Sequence, residues 1–458
     1  MRDELLAAVT ARLGQITAAQ DPTLALKWGA RRDAHRLARI LRDDGSDLGA
    51  LHALGWFHWY RHVASRDGQD HDALGDACRA LTPCFIAGIE ALPEPLLPSL
   101  AENAVSTAVG LLEQAVSSGD PARGLAAVAL WQRVVAATPS SHPDRAGRLS
   151  NLSGALQVRF ERLGARADLD EAIVVARVAV QAARADHPDR AMYLANLSLA
   201  LRVRFGRMEA RADMDEAVTV GRAAVQATPA DHPDRAGPLS NLGLALQVRF
   251  ERAGASADLD EAVAVGRAAV QAAPADHPHR AMYLASLSLA LRVRFERAGA
   301  SADLNEAVAV GRAAIQATPA DSPHRAGRLS SLCLALRLRF ERLGTHADLD
   351  EAVAVGRAAV QAAPADHPDQ VRYLSNLGGA LLARFGCAGA RADVDEAVAV
   401  GRAAVQAAPA DHPDRAGPLS NLCLALRVRF ERLGAPADLD EAVTVGRAAV
   451  QATLSLTP

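Results

Sequence analysis

An unbroken forty-five-residue period constrains this chain more than any other feature. The Phe of an Arg-Phe pair returns at Phe160, Phe205, Phe250, Phe295, Phe340, Phe385 and Phe430, with no insertion or deletion between copies. Such a period marks stacked supersecondary units, each too small to bury its own apolar face and each completed by its neighbours. A length of 458 residues alone implies about three domains. The period replaces that expectation with one array preceded by a head.

One unit, Asp231 to Ala275, shows how each copy should fold. In its second half Leu259, Ala262, Val263, Gly266, Ala269, Val270 and Ala273 fall on a single helical stripe. Asp258 followed three residues later by Glu261 reads as a capping box that opens this helix, and Pro274 stops it. The first half predicts a helix between about Asp234 and Arg252, with core positions Leu239, Leu242, Gly243, Leu246 and Phe250 and with Gly254 as its C-terminal cap. Pro238 and Pro418 conflict with a helix running from Pro233, so in those two units the helix is expected to start at the proline itself.

Half the residues are apolar and the formal net charge is -3, so there is ample material for a core and disorder is not expected. Charges of both signs are mixed within a unit, six acids and four arginines in Asp231 to Ala275. No basic stripe accumulates, which argues against nucleic acid as a partner. Acidic residues at the N-terminus and the lack of a long apolar run point to a cytoplasmic chain without a signal or a membrane span. Cys78, Cys84, Cys333, Cys387 and Cys423 follow no disulfide pattern and read as free thiols.

The head, residues 1–95, uses a different core recipe. Trp28, Trp56 and Trp59 lie in it, whereas the repeats contain no tryptophan. His58 and His62 share a helix face near Cys78 and Cys84, but there is neither an HExxH glutamate nor a CxxC spacing, so no metal or other cofactor is expected. Pro93, Pro95 and Pro98 mark a boundary. Residues 96–140 then read as a worn capping repeat, and 141–453 as seven full repeats.

Leu239-x2-Leu242-Gly243-x2-Leu246 followed by Ala262-x3-Gly266-x2-Ala269-x4-Pro274 resembles the tetratricopeptide repeat, and Leu51 to His58 in the head carries the same opening pattern. The resemblance implies an all-α, right-handed α-α superhelix: a solenoid of antiparallel helix pairs behind a helical head. This unit is longer than the family's, with extra residues between Leu246 and Ala262 and between Pro274 and Leu284. The family's large second-helix aromatic is replaced by Gly221, Gly266, Gly311, Gly356, Gly401 and Gly446. Mid-helix glycine costs about 1 kcal/mol relative to alanine, so a close helix approach is expected, with Phe250 and its equivalents filling the volume of the missing aromatic.

The recurring His-Pro-Asp at His142, His187, His232, His367 and His412 reads as helix-start chemistry, since copies one unit apart cannot converge on an ion. No nucleophile elbow, caspase-type cysteine motif or phosphate-binding loop occurs, so no enzyme is expected. Cys333 and Cys423 occupy a small-residue packing position.

Asn151, Asn196, Asn241, Asn376 and Asn421 recur at one first-helix position, with Ser286 and Ser331 in the other two units. The run His-Pro-Asp to Leu-Ser-Asn-Leu resembles the kinesin-light-chain variety of the family. That resemblance implies that the ladder lines a concave groove and holds peptide backbone. The same face then presents Gln157, Arg202, Gln247, Arg292, Arg337, Leu382 and Arg427, a variable position suited to specificity. Tyr193, Tyr283 and Tyr373 recur in alternate units, as groove anchors or as packing, and imply growth by doubling of a two-unit block. A non-enzymatic scaffold for a protein or peptide partner is the expected function. The unit and head also resemble the repeat region of bacterial proteins bearing a caspase-like CHAT domain. No such domain follows these repeats, so the alternative is a regulatory arm for a separate or lost effector.

Overall fold

The computed structural model describes residues 1–41, 46–65, 71–118, 120–208, 211–409 and 415–454. Strong helix formers fill both halves of each unit, and helices result. They are α1 (Arg2–Ala19), α2 (Trp28–Leu41), α3 (Leu48–Ala64), α4 (His71–Ala87), α5 (Leu97–Ser118), α6 (Pro121–Ala137), α7 (Arg145–Leu163), α8 (Arg166–Ala182), α9 (Arg190–Met208) and α10 (Arg211–Ala227). There follow α11 (Ala236–Ala253), α12 (Ser256–Ala272), α13 (Arg280–Ala298), α14 (Ser301–Gln316), α15 (Arg325–Leu343), α16 (His346–Ala362), α17 (Gln370–Ala388), α18 (Arg391–Ala407), α19 (Ala416–Leu433) and α20 (Pro436–Leu454). No strand occurs among the described residues.

The chain divides into two units, Met1–Val220 and Gly221–Pro458. In the first, α3 packs on α4, α4 on α5, and each of α5 to α8 on its successor, around buried Phe57, Leu81, Trp131 and Leu156. In the second, α11 to α20 each pack on the next, and the first helices α11, α13, α15, α17 and α19 also lie side by side. Both are stacks of antiparallel helix pairs: the chain is all-α, built as a tetratricopeptide-like solenoid. Leu246 and Val263 are fully buried in it, and truncating such a leucine to alanine costs about 2–5 kcal/mol.

The helix ends explain themselves locally. Gly254 takes φ 70° and its N–H reaches Phe250 O at 2.7 Å, and Gly164, Gly299, Gly344, Gly389 and Gly434 repeat this. Pro238 and Pro418 do not start their helices but sit in the first turn, two residues after Ala236 and Ala416, where a missing N–H breaks no intrahelical bond. His232 Nδ1 accepts from Asp234 N at 3.1 Å; His142, His187, His277 and His367 do the same two residues on. His412 lies outside the described residues.

Two further expectations are overturned. Asp258 is not an N-cap. Helix α12 starts at Ser256, no side chain caps it, and Asp258 is its third residue, buried and gripped by Arg249 through two bonds of 2.8 and 2.7 Å. The same fork joins Arg159–Asp168, Arg204–Asp213, Arg294–Asp303, Arg339–Asp348, Arg384–Asp393 and Arg429–Asp438. Glu261, the other half of the supposed box, turns outward to Arg222, and an arginine–glutamate rung of this kind joins successive second helices from Arg177–Glu216 to Arg402–Glu441. A planar guanidinium satisfies both carboxylate oxygens at once, which a helix amide cannot do.

The second correction concerns the helical glycines. A Cβ on Gly266 would meet Leu287 Cδ1 at 3.2 Å, and one on Gly401 would lie 3.3 Å from Leu422 Cα. The close approach is real, but the side chain that fills the space is the next repeat's leucine, not Phe250.

A further clasp crosses the junctions. Arg190 Nη1 donates to Val180 O at 2.9 Å and Ala183 O at 2.6 Å, closing the C-terminal carbonyls of the preceding helix. Arg145, Arg235, Arg280, Arg325 and Arg415 repeat the clasp. Gln370 stands in its place at the sixth repeat, with its Oε1 buried and unpartnered.

Candidate functional site

The first helices of the second unit lie side by side, so equivalent positions of successive repeats share one face. The structure gives the asparagines different duties. Asn196 Nδ2 donates to Ser150 Oγ at 3.0 Å and Asn376 Nδ2 to Ser330 Oγ at 2.8 Å, each reaching the preceding repeat. Asn151, Asn241 and Asn421 make no side-chain hydrogen bond among the described residues, and Asn421 is exposed.

The variable position is also mixed. Arg292, Arg337 and Arg427 pair with Glu296, Glu341 and Glu431 one turn on. Gln247 is buried and donates to Ser286 O at 3.4 Å. Arg202 has Gly206 where the others have glutamate, and burial lowers its guanidinium below the usual arginine range with no acid to offset it. The tyrosines are core residues. Tyr193, Tyr283 and Tyr373 are 3%, 4% and 2% exposed, and each stacks on the turn histidine of its own repeat at 5.4–5.5 Å. Their hydroxyls lie over Gly147, Gly237 and Gly327 of the preceding repeat, which explains the alternation: tyrosine in one unit requires glycine in the one before.

Within the second unit Asn376, Asn421, Arg337 and Leu382 come together in one cleft of about 430 Å³, walled by Glu341, Gly379, Ala383 and Leu424. Sequence reasoning missed Gly379 and Ala383. The signal was there: the sixth repeat reads Leu377-Gly-Gly379-Ala-Leu-Leu382-Ala383-Arg-Phe385, where the third reads Leu242-Gly-Leu244-Ala-Leu-Gln247-Val248-Arg-Phe250. Two large side chains become small and one polar side chain becomes apolar, which excavates the cleft and greases its floor. The Arg337 guanidinium settles over the vacated space, its Nε 3.4 Å from where a Cβ on Gly379 would be.

A family model described as tetratricopeptide repeat matches residues 145–189, 190–234, 239–279 and 371–414. Those four stretches are tetratricopeptide repeats. The chain is also similar to solved structures: nearly identical TPR-like repeats of a putative kinesin light chain from Podosopora anserina, 20% identical over 50% of this chain and all of the other, with a TM-score of 0.36. A monomeric IFIT1 mutant with Gppp-AAAA is 13% identical over 92% of this chain and 76% of that one, with a TM-score of 0.40. No curated protein sequence matches the array.

All five cysteines are free; burial pushes Cys84 up to about 11 and Cys333 up to about 12, away from the thiolate a nucleophile needs. His58 is buried against Arg61 and near Asp76 at 3.9 Å. Among the described residues no three His, Cys, Asp or Glu side chains gather as metal ligands, and no helix is long and apolar enough to cross a membrane.

Proposed function

We propose that the tetratricopeptide array is a non-catalytic, cytoplasmic scaffold that binds an extended segment of a partner protein along its first-helix face. The observation that carries this is the cleft shared by Asn376, Asn421, Arg337 and Leu382. It offers an apolar seat for one anchoring side chain and, at Asn421, an amide free to bond a peptide backbone. A preformed surface of this kind limits the ordering cost of binding to the peptide. The mixed signs of charge along each repeat favour protein over nucleic acid as the ligand.

The test restores the array's own consensus. Gly379→Leu with Leu382→Arg refills the cleft using residues that other repeats hold at those positions, so folding is preserved. Peptides selected from a displayed random library on the intact protein should bind this variant at least about tenfold more weakly, and Asn421→Ala should show a smaller loss. Equal binding by the refilled variant would sink the proposal.

A further inference from the structure

The turns before α13 and α15 depart from the array. Where other repeats have His-Pro-Asp, these have His277-Pro278-His279 and Ser322-Pro323-His324, so a histidine replaces an acid in two successive repeats. The same two repeats carry Ser286 and Ser331 in place of the ladder asparagine. All four changes meet in space: His279, Ser286, His324 and Ser331 line a second cleft of about 710 Å³, together with Arg328 and Arg372. Exposed Met282 and Leu289 form an apolar wall beside them.

Arg328 is the group without a counterpart. Its half-buried guanidinium donates to Thr318 Oγ1, and burial lowers its pKa with no acid to offset the effect. Arg372, by contrast, is already paired with Asp369 at 3.1 Å.

The first repeat shows what such an arginine takes. Arg148, at the equivalent position, makes the same bond to Thr138 Oγ1 at 2.8 Å and also grips the Glu102 carboxylate, which His142 Nε2 approaches at 3.5 Å. Counting back from Arg328 by the spacing that separates Arg148 from Glu102 leads to Met282. The arginine and the threonine remain, Ser322 stands at the place of His142 with His324 two residues on, and the carboxylate is gone. One uncompensated guanidinium calls for one negative charge, a carboxylate rather than a phosphate dianion.

We propose that this cleft receives an acidic side chain, Glu or Asp, of a partner's segment: the carboxylate bonds Arg328 with His324 and His279 at the rim, and an adjacent apolar residue packs on Met282 and Leu289. The protein nature of the partner rests on the scaffold reading above. The probes are short fluorescein-labelled peptides rich in Glu and Leu, their Gln counterparts and their phosphoserine counterparts, followed by anisotropy on the intact chain. The Glu peptides should bind at least about tenfold more tightly than the Gln ones, with an affinity that falls as salt rises.

Two variants test the site without touching the core. His279→Asp with His324→Asp restores the acid of the other turns, and Met282→Glu rebuilds the internal carboxylate. Each should weaken the Glu peptides at least about tenfold while leaving thermal melting unchanged. Loss of Glu-peptide binding in the Gly379→Leu/Leu382→Arg variant, but in neither of these, would place the acid in the other cleft and overturn this site while sustaining the scaffold. Failure of every Glu peptide to bind the intact protein, or a phosphoserine peptide binding about tenfold better than its Glu counterpart, also overturns it.

Discussion

The fork between Arg339 and Asp348 offers the sharpest test of how each repeat is held. Asp348 is 3% exposed, and both its oxygens are bonded, at 2.7 and 2.6 Å. This copy is the cleanest one. Arg294, Arg384 and Arg429 also touch an aspartate of the preceding repeat, Asp260, Asp350 and Asp395, but the residue in that place before Arg339 is Asn305. Breaking a buried pair by removing one partner costs about 3–5 kcal/mol because the other charge is stranded. Arg339 keeps 16% of its side chain exposed, and water can relieve part of that, so Asp348→Ala and Arg339→Met should each cost about 2–3 kcal/mol. The double variant, which strands no charge, should cost less than the sum of the two.

If Asp348 instead acted as a helix cap, the outcome would differ in kind. Asp348→Ser would keep the cap and be nearly neutral, and Arg339→Met would matter little, because only the aspartate would be at stake. Chemical denaturation followed by circular dichroism gives the overall cost. Amide exchange across 336–356 reports the local one, which is needed because repeat arrays open unit by unit. An Arg339→Met cost below about 0.5 kcal/mol, or a neutral Asp348→Ser, would refute the fork as the stabilising element.

Three further outcomes follow from the same geometry. Gln370→Arg should install the missing junction clasp, satisfy the open carbonyls at the end of α16 and raise stability by about 1 kcal/mol in denaturant titration. Gly401→Ala should destabilise despite its better helix propensity, because its Cβ meets Leu422 backbone at 3.3 Å, whereas Gly386→Ala, with nothing within 4 Å, should stabilise by about 0.5–1 kcal/mol; melting temperatures that move in the same direction would contradict this. The hydrogen bond from Arg429 depresses Asp438, and that from Arg402 depresses Glu441. Their stabilising effect is therefore complete above the ordinary carboxylate range, near pH 4, and is lost as pH falls through the depressed values. Amide exchange in α20 should accelerate on acidification below that range, and Arg429→Met should flatten the response.

Much of the fold was legible because it rests on short-range patterns. The stripe Leu259, Ala262, Val263 and Ala269 requires a helix with one buried face, and Gly254 requires a left-handed residue four past Phe250. The candidate site was legible only in part. Asn376 and Asn421 do share a cleft, but the residues that open it, Gly379 and Ala383, show themselves only when one repeat is set against the others. Glu261 and Asp258 were misassigned for a physical reason: an acid early in a helix is equally suited to cap an amide or to receive a guanidinium, and only the neighbour decides.

From the sequence alone come the period, the helix pair, the glycine caps and the close approach at Gly266, since each follows from residues within a turn or two of one another or from strict repetition. Tertiary structure decided which charges meet, that Leu287 rather than Phe250 closes on Gly266, that the tyrosines lie buried over the preceding repeat's glycines, and that His279, His324 and Arg328 open on a common cleft. Those residues belong to different turns or different repeats. Only stacking brings them within the few ångströms over which a hydrogen bond or a packing contact acts.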